Sequence, residues 1–189
     1  MKSEIEQLIN NSAEIIKKTS SLSGEIQKVI NEIIRCLKNG NKVIIFGNGG
    51  SAADAQHIAA EFIGRFELER KSLAAIALTA DTSVITSLSN DYDYDVVFSR
   101  QCESLVSKGD VVIGISTSGN SKNVYEGLKT SKNKGALIIT LLGNKGGKIK
   151  ELSDISIIVD SSITSQIQEA HRVIYHTICK IVERQLSEK

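Results

Sequence analysis

The stretch Val43-Ile44-Ile45-Phe46-Gly47-Asn48-Gly49-Gly50-Ser51-Ala52-Ala53-Asp54-Ala55-Gln56-His57 decides the fold. Four apolar residues in succession, two of them β-branched isoleucines beside a valine, read as a strand covered on both faces. A glycine-rich turn follows, and a helix-like segment then runs over 52–64. Four more apolar runs recur downstream: Leu73–Leu78, Val111–Ile115, Ala136–Leu142 and Ile155–Val159. Between them lie helix-like segments near 82–89, 95–107 and 121–133, a short one near 147–152, and a long one over about 165–186. Strand alternating with helix predicts an α/β fold, a three-layer sandwich with a five-stranded parallel sheet. Upstream, residues 1–20 read as a polar helix with a thin apolar stripe (Ile5, Leu8, Ile9, Ile15, Ile16). Ile26, Val29, Ile30, Ile33, Ile34 and Leu37 then follow the i, i+3, i+4, i+7 rule of an amphipathic helix, with Ser23 as N-cap and Gly40 as its stop. The chain reads as one domain over 1–189: an N-terminal helical extension over 1–40 and an α/β core with a C-terminal helix over 41–189.

In an open parallel sheet, ligands bind beyond the carboxyl ends of the strands. Two turns occupy such ends. The second, Ser116-Thr117-Ser118-Gly119-Asn120-Ser121, follows Val111–Ile115 and runs into a helix. It has the chemistry of a phosphate cradle: free N–H groups at a helix N-terminus, hydroxyls on Ser116, Thr117, Ser118 and Ser121, and Gly119 for close backbone approach. The bland alternative is a loop whose serines and asparagine merely cap the helix. The first turn is ambiguous. Gly47, Gly49 and Ala52 satisfy G-x-G-x-x-A, a dinucleotide fingerprint. The acidic residue that should follow about 20 positions on, at the end of the second strand, would be Asp81, 34 positions after Gly47. A nicotinamide site also leaves the hydroxyl-rich turn unexplained. The expectation is therefore no nucleotide cofactor, with the first turn holding sugar hydroxyls.

Histidine is scarce, with three in the chain. His57 and Glu61 stand at i, i+4 on the helix that starts at the first turn, so they share one face. The C-terminal helix carries Gln168, Glu169, His171, Arg172 and His176. Gln168 and His176 lie in the same half of that helix, about 12 Å apart along its axis, and His171 competes with His176 for any catalytic role. A carboxylate and an imidazole beside a bound sugar phosphate suit ketose–aldose isomerisation. That reaction moves a proton between C1 and C2 through an enediol and needs a base at carbon and an acid–base partner at oxygen. His57, Glu61, Gln168 and His176 are also donors for one divalent metal, zinc by ligand type, which would polarise the carbonyl.

Bulk properties fit this reading. The 189 residues are 41% hydrophobic and 24% charged, with formal net charge +1, so no global field points to nucleic acid. There is no tryptophan, and with four tyrosines and four phenylalanines a base-stacking platform is disfavoured. No signal peptide or membrane-spanning run is visible, which with three scattered cysteines (Cys36, Cys102, Cys179) predicts a cytoplasmic protein whose thiols act as small buried hydrophobes.

The segments GNGGSAADAQHIAAEFIGRF (47–66), SNDY (89–92), GISTSGNSKNV (114–124) and IQEAHRVIYH (167–176) resemble the phosphoheptose isomerases of the sugar isomerase (SIS) superfamily, over nearly the whole chain. The resemblance implies a flavodoxin-like SIS fold and conversion of sedoheptulose 7-phosphate to D-glycero-D-manno-heptose 7-phosphate, the first step toward activated heptoses of surface polysaccharides such as lipopolysaccharide. It implies Glu61 as general base and His176, rather than His171, as acid. It matches His57, Glu61, Gln168 and His176 to a zinc site, and Ser116, Thr117, Ser118 and Ser121 to the phosphate loop. Asn48, Gly49, Gly50, Ser51, Asn90 and Asp91 match sugar contacts, with Arg65 nearby. It also implies a homotetramer with active sites at subunit interfaces. The sequence departs from the family at SAADAQH, where others carry a bulkier, cysteine-containing version, and at Ser165, where some have aspartate. Two rivals remain. A non-catalytic SIS adaptor that binds the bacterial replication initiator is disfavoured by the presence of both Glu61 and His176. A phosphosugar-sensing regulator would need a DNA-binding module for which the chain leaves no room.

Overall fold

The computed structural model describes residues 1–187. Five parallel strands, β1 (Val43–Gly47), β2 (Ala75–Ala77), β3 (Val111–Ser116), β4 (Leu137–Gly143) and β5 (Ile155–Val159), form one sheet in the order β2-β1-β3-β4-β5. This is the flavodoxin-like order, in which the chain leaves β1 in one direction for β2 and then crosses back to β3.

Strand side chains alternate between two buried faces. Val43, Ile45, Val111, Ile113, Ile115, Ile139, Leu141, Ile157 and Val159 pack against α2 (Ser23–Lys38), α3 (Gly50–Ile63) and α7 (Thr164–Ser187). Ile44, Phe46, Val112, Ile138 and Leu142 pack on the other side against α5 (Val97–Leu105) and α6 (Lys122–Asn133), with Leu88 of α4 (Thr82–Asp91) at the margin. Both faces of each strand are thus covered, which is why the strands read as continuous apolar runs rather than alternating ones. The expected three layers are present.

Some boundaries differ from the sequence reading. The run Leu73–Leu78 yields only three paired residues, Ala75–Ala77, because β2 is an edge strand whose register with β1 ends at Ile45. The helix expected over 95–107 begins as a 3-10 turn, Tyr94–Val96, set by the Asp93 side chain accepting the Asp95 N–H at 2.8 Å, and becomes α-helical at Val97. Ser23 is not an N-cap. The chain passes from α1 (Lys2–Lys18) through a 3-10 turn (Thr19–Leu22) into α2 without leaving helical backbone at Ser23, so no exposed N–H row needs its hydroxyl. Gly40 does stop α2: it takes φ +77°, and the N–H groups of Gly40 and Asn41 close on the carbonyls of Leu37 and Cys36. The helix expected at 147–152 is a 3-10 turn, Lys148–Leu152. All three cysteines are free and buried, as expected.

Helix α1 lies against α7, yet buries none of its own residues, and Ile5, Leu8 and Ile9 of its stripe are more than half exposed. Among the described residues no helix is long and apolar enough to cross a membrane.

Candidate active site

Both glycine-rich turns emerge at the carboxyl ends of β1 and β3, which are neighbours at the switch point of the sheet. In the second turn, the hydroxyls of Ser116 and Ser121 meet at 3.0 Å, with Ser118 Oγ 3.5 Å from Ser116 Oγ. The backbone N–H of Gly119 donates to Ser116 Oγ, and that of Asn120 to Ser118 Oγ. Ser121 occupies the N-cap position of α6, but its side chain makes no capping bond. That weighs against the bland alternative, because the hydroxyl is turned toward the other serines rather than spent on the helix. Gly119 takes φ +68°, and a Cβ there would come within 2.1 Å of the Gly146 carbonyl oxygen, so only glycine fits. The loop after β4 braces this turn: Asn144 Nδ2 donates to the Thr117 carbonyl, and the Lys148 N–H donates to Asn120 Oδ1.

The first turn is tied to the second by a reciprocal amide pair. Asn48 Nδ2 donates to Asn123 Oδ1 at 2.8 Å, and Asn123 Nδ2 returns a bond to Asn48 Oδ1 at 2.9 Å. The Tyr94 hydroxyl adds a third contact, on Asn48 Oδ1 at 3.1 Å. Gly49 and Gly50 are exposed at the start of α3, while Ser51 is buried. Gln168 of α7 lies directly on Gly50: a Cβ at that glycine would be 2.5 Å from Gln168 Nε2. Asp81, the residue a dinucleotide reading would require, instead caps α4 by accepting the Val84 N–H at 3.0 Å.

Further along α3, His57 Nε2 lies 2.9 Å from Glu61 Oε1. His176 of α7 completes the group: its ring centre is 5.0 Å from that of His57, and donor atoms of His57, Glu61 and His176 all lie within 4.8 Å of one another. All three side chains are half-buried, open on one side to an incoming ligand. Tyr175 and Phe66 wall the His176 ring, with centroids at 4.7 and 5.7 Å. Burial, and then the neighbouring His57 ring, push the His176 pKa below the ordinary imidazole value, which favours the neutral ring.

His171 faces away from this group. Five residues of helix separate it from His176, a rotation of about 140°, and it points into the core with no exposed surface. Its Nε2 lies 3.0 Å from the Leu142 carbonyl, Nδ1 has no partner among the described residues, and burial lowers its pKa to about 4.

Behind the cluster stands a network the sequence reading missed. Asp54, buried one helical turn before His57, accepts from both Arg172 Nη2 and the Tyr175 hydroxyl at 3.2 Å, and that hydroxyl also meets His57 Nδ1 at 3.2 Å. Burial, then Asp54, raise the Tyr175 pKa to about 12. The tyrosine therefore stays protonated and keeps the His57 ring oriented. The hint in the sequence is the adjacency of Tyr175 to His176.

The remaining matched residues lie at the periphery. Arg65, just beyond α3, is exposed and 3.9 Å from Glu69. Asn90 donates to Asp91 at 2.9 Å, both exposed at the end of α4. Neither pair contacts the His57–Glu61–His176 group among the described residues.

With this geometry in view, comparison with known proteins is informative. The SIS domain pattern matches residues 7–143. The phosphoheptose isomerase of Aliarcobacter butzleri is 50% identical over 183 residues, covering 97% of each chain. Among solved structures, phosphoheptose isomerase from Neisseria gonorrhoeae superposes with a TM-score of 0.92 at 38% identity, covering 97% of this chain and 98% of that one. A phosphoheptose isomerase from Francisella tularensis gives 0.93 at 32% identity, covering 96% and 97%. A switch-point site with a serine cradle, the flavodoxin-like sheet order and likeness along nearly the full length agree: the chain belongs to the SIS domain family, among the phosphoheptose isomerases.

Proposed function

We propose that the protein interconverts sedoheptulose 7-phosphate and D-glycero-D-manno-heptose 7-phosphate in the cytoplasm, supplying heptose for surface polysaccharides. The observation that carries this reading is the meeting of Glu61 and His176, from two helices far apart in sequence, in one half-open cluster. The relatives are named for a phosphoheptose, and a ketose phosphate fits that chemistry. In the forward direction the Glu61 carboxylate takes a proton from C1 while the His176 imidazole gives one to the carbonyl oxygen at C2, leaving an enediol. Glu61 then returns its proton to C2, and His176 recovers one from the hydroxyl at C1, so the balance closes with both groups restored. A largely neutral imidazole serves both halves, being able to donate and accept at once. Ser116, Thr117, Ser118 and Ser121 hold the phosphate with Gly119 and the α6 N-terminus. Asn48, Gly49, Gly50, Ser51, Asn90, Asp91 and Arg65 are assigned to the sugar.

The donors of His57, Glu61 and His176 also fit zinc by type, being two imidazoles and a carboxylate within 4.8 Å of one another, and Gln168, which lies on Gly50, is the fourth ligand the resemblance implies. When bound, the metal would add polarisation of the sugar carbonyl. A homotetramer accords with the exposed stripe of α1. It also accords with the length of α3: Glu61 is eleven residues, about 16 Å, beyond Gly50, which supports completion of the site by a neighbouring subunit.

Incubation with sedoheptulose 7-phosphate, followed by NMR, should show the aldose appearing. No conversion, together with tight binding to a protein partner, would replace the enzyme with the adaptor, a reading no feature of the fold favours. Metal analysis, with activity measured before and after chelation, tests zinc. Sedimentation tests the tetramer.

A further inference from the structure

Glu61 and His176 lie on different helices, so catalysis depends on what fixes α3 relative to α7. At one end of the cluster the tie is Asp54 with Arg172 and Tyr175, described above. At the other end stands a second tie built from Arg70 and Glu183. Glu183 is seven residues beyond His176 on α7, nearly two full turns, and therefore on almost the same face. Its side chain is 2% exposed and that of Arg70 5%. Glu183 accepts three backbone N–H groups of the segment after α3: Phe66 at 2.8 Å on Oε1, and Glu67 at 2.7 Å and Leu68 at 2.9 Å on Oε2. Arg70 Nε lies 3.2 Å from Glu183 Oε1, an ion pair without a directed hydrogen bond. The guanidinium then reaches back to α3. Its Nη2 donates to the carbonyl of Glu61 itself at 2.7 Å, and its Nη1 to those of Phe62 at 2.8 Å and Gly64 at 2.9 Å.

The last carbonyls of a helix have no partner within the helix. Here an arginine takes them, and its counter-ion belongs to the helix that carries the other catalytic group. The clamp also places Phe66, whose ring faces His176. Such a device exceeds what closing a helix requires, because a glycine or a water would satisfy the same carbonyls. Burial raises the Glu183 pKa, but the three N–H groups and Arg70 outweigh it and the carboxyl is held below its ordinary value, so the clamp is charged at neutral pH.

We propose that Arg70 and Glu183 form a positioning pair that sets Glu61 against His176, and hence the distance from base to the proton it removes. This rests on Glu61 being the base. Arg70→Lys removes the planar fork while keeping the charge, and Glu183→Gln keeps the shape while removing the charge. Each should lower kcat by about 10- to 100-fold, the cost of an ångström-scale misplacement of a catalytic group. KM should move by no more than about threefold, since the phosphate turn is untouched. The primary isotope effect with substrate deuterated at C1 should rise, because proton transfer becomes more fully rate-limiting. The isotope effect separates positioning from mere folding: a kcat that falls only with the folded fraction, at unchanged isotope effect, overturns the proposal. So does wild-type kcat in both variants while Glu61→Gln is inactive. Turnover retained in Glu61→Gln would instead remove the base on which the inference stands.

Discussion

Two regions of the molecule treat polar groups in opposite ways. At the amino end of the sheet, Asp110 precedes β3 and is 1% exposed. One of its oxygens accepts the Lys42 N–H at 3.1 Å and Asn41 Nδ2 at 3.5 Å, and the other accepts Lys42 Nζ at 2.7 Å and the Ser107 N–H at 2.8 Å. Its bonding capacity is filled from within the chain. Burial alone would raise its pKa, but Lys42 and those N–H groups outweigh it and hold the carboxyl below its ordinary value. At the carboxyl end, three serine hydroxyls lean on each other, and further along α3 and α7 two histidines and a glutamate stand half open. A buried polar group that has found all its partners has nothing left to offer a ligand, whereas groups with bonding capacity left over can still receive one.

The contrast can be broken most sharply at Glu61. Glu61→Gln should cut kcat by about a thousandfold with little change in thermal stability, read from steady-state kinetics and calorimetry. Asp110→Ala should do the reverse. Stability should fall by about 3 kcal/mol, the lower end for breaking a buried pair, because Lys42 is only partly buried and its charge can turn to water. Its kcat, corrected for folded protein, should match wild type. A loss of catalysis there would mean that the two regions are coupled.

His171 tests the same rule inside the core of the functional half. Its folded pKa, about 4, lies below the unfolded value near 6.5. Stability is therefore fully present above pH 6.5 and is lost as pH falls toward 4, by up to about 3 kcal/mol over that window. His171→Gln, which can still donate to Leu142 but gains no proton, should flatten this part of a stability–pH curve measured by urea denaturation. The smallest effect is expected at Ser118. Ser118→Ala removes one hydroxyl from a charged ligand and should weaken sugar-phosphate binding by about 2 kcal/mol, roughly thirtyfold, with kcat at saturation little changed. Calorimetric titration with substrate in a Glu61→Gln background would measure it.

What could be read in advance was local. The five apolar runs announced five strands because burial on both faces leaves no polar position to interrupt them. The serine turn and the His57–Glu61 pair were legible because their residues are neighbours in sequence. What stayed hidden was long-range. Asn48 finds Asn123, Asp54 finds Tyr175, and Arg70 finds Glu183 across separations of 75 residues or more. No periodicity records such partners. The choice between His171 and His176 shows the limit most plainly. Both lie on α7, and only the packing of that helix on β4 and α3 reveals which ring enters the core and which enters the site.

Helix α3 begins at the first glycine-rich turn and ends at Glu61 and its neighbours, where Arg70 grips its last carbonyls. It is in effect a rod of fixed length that sets how far Glu61 stands from that turn. Adding or deleting one residue between that turn and Glu61 would swing Glu61 by about 100° and shift it by about 1.5 Å, turning the carboxylate away from His176 while leaving the helix intact.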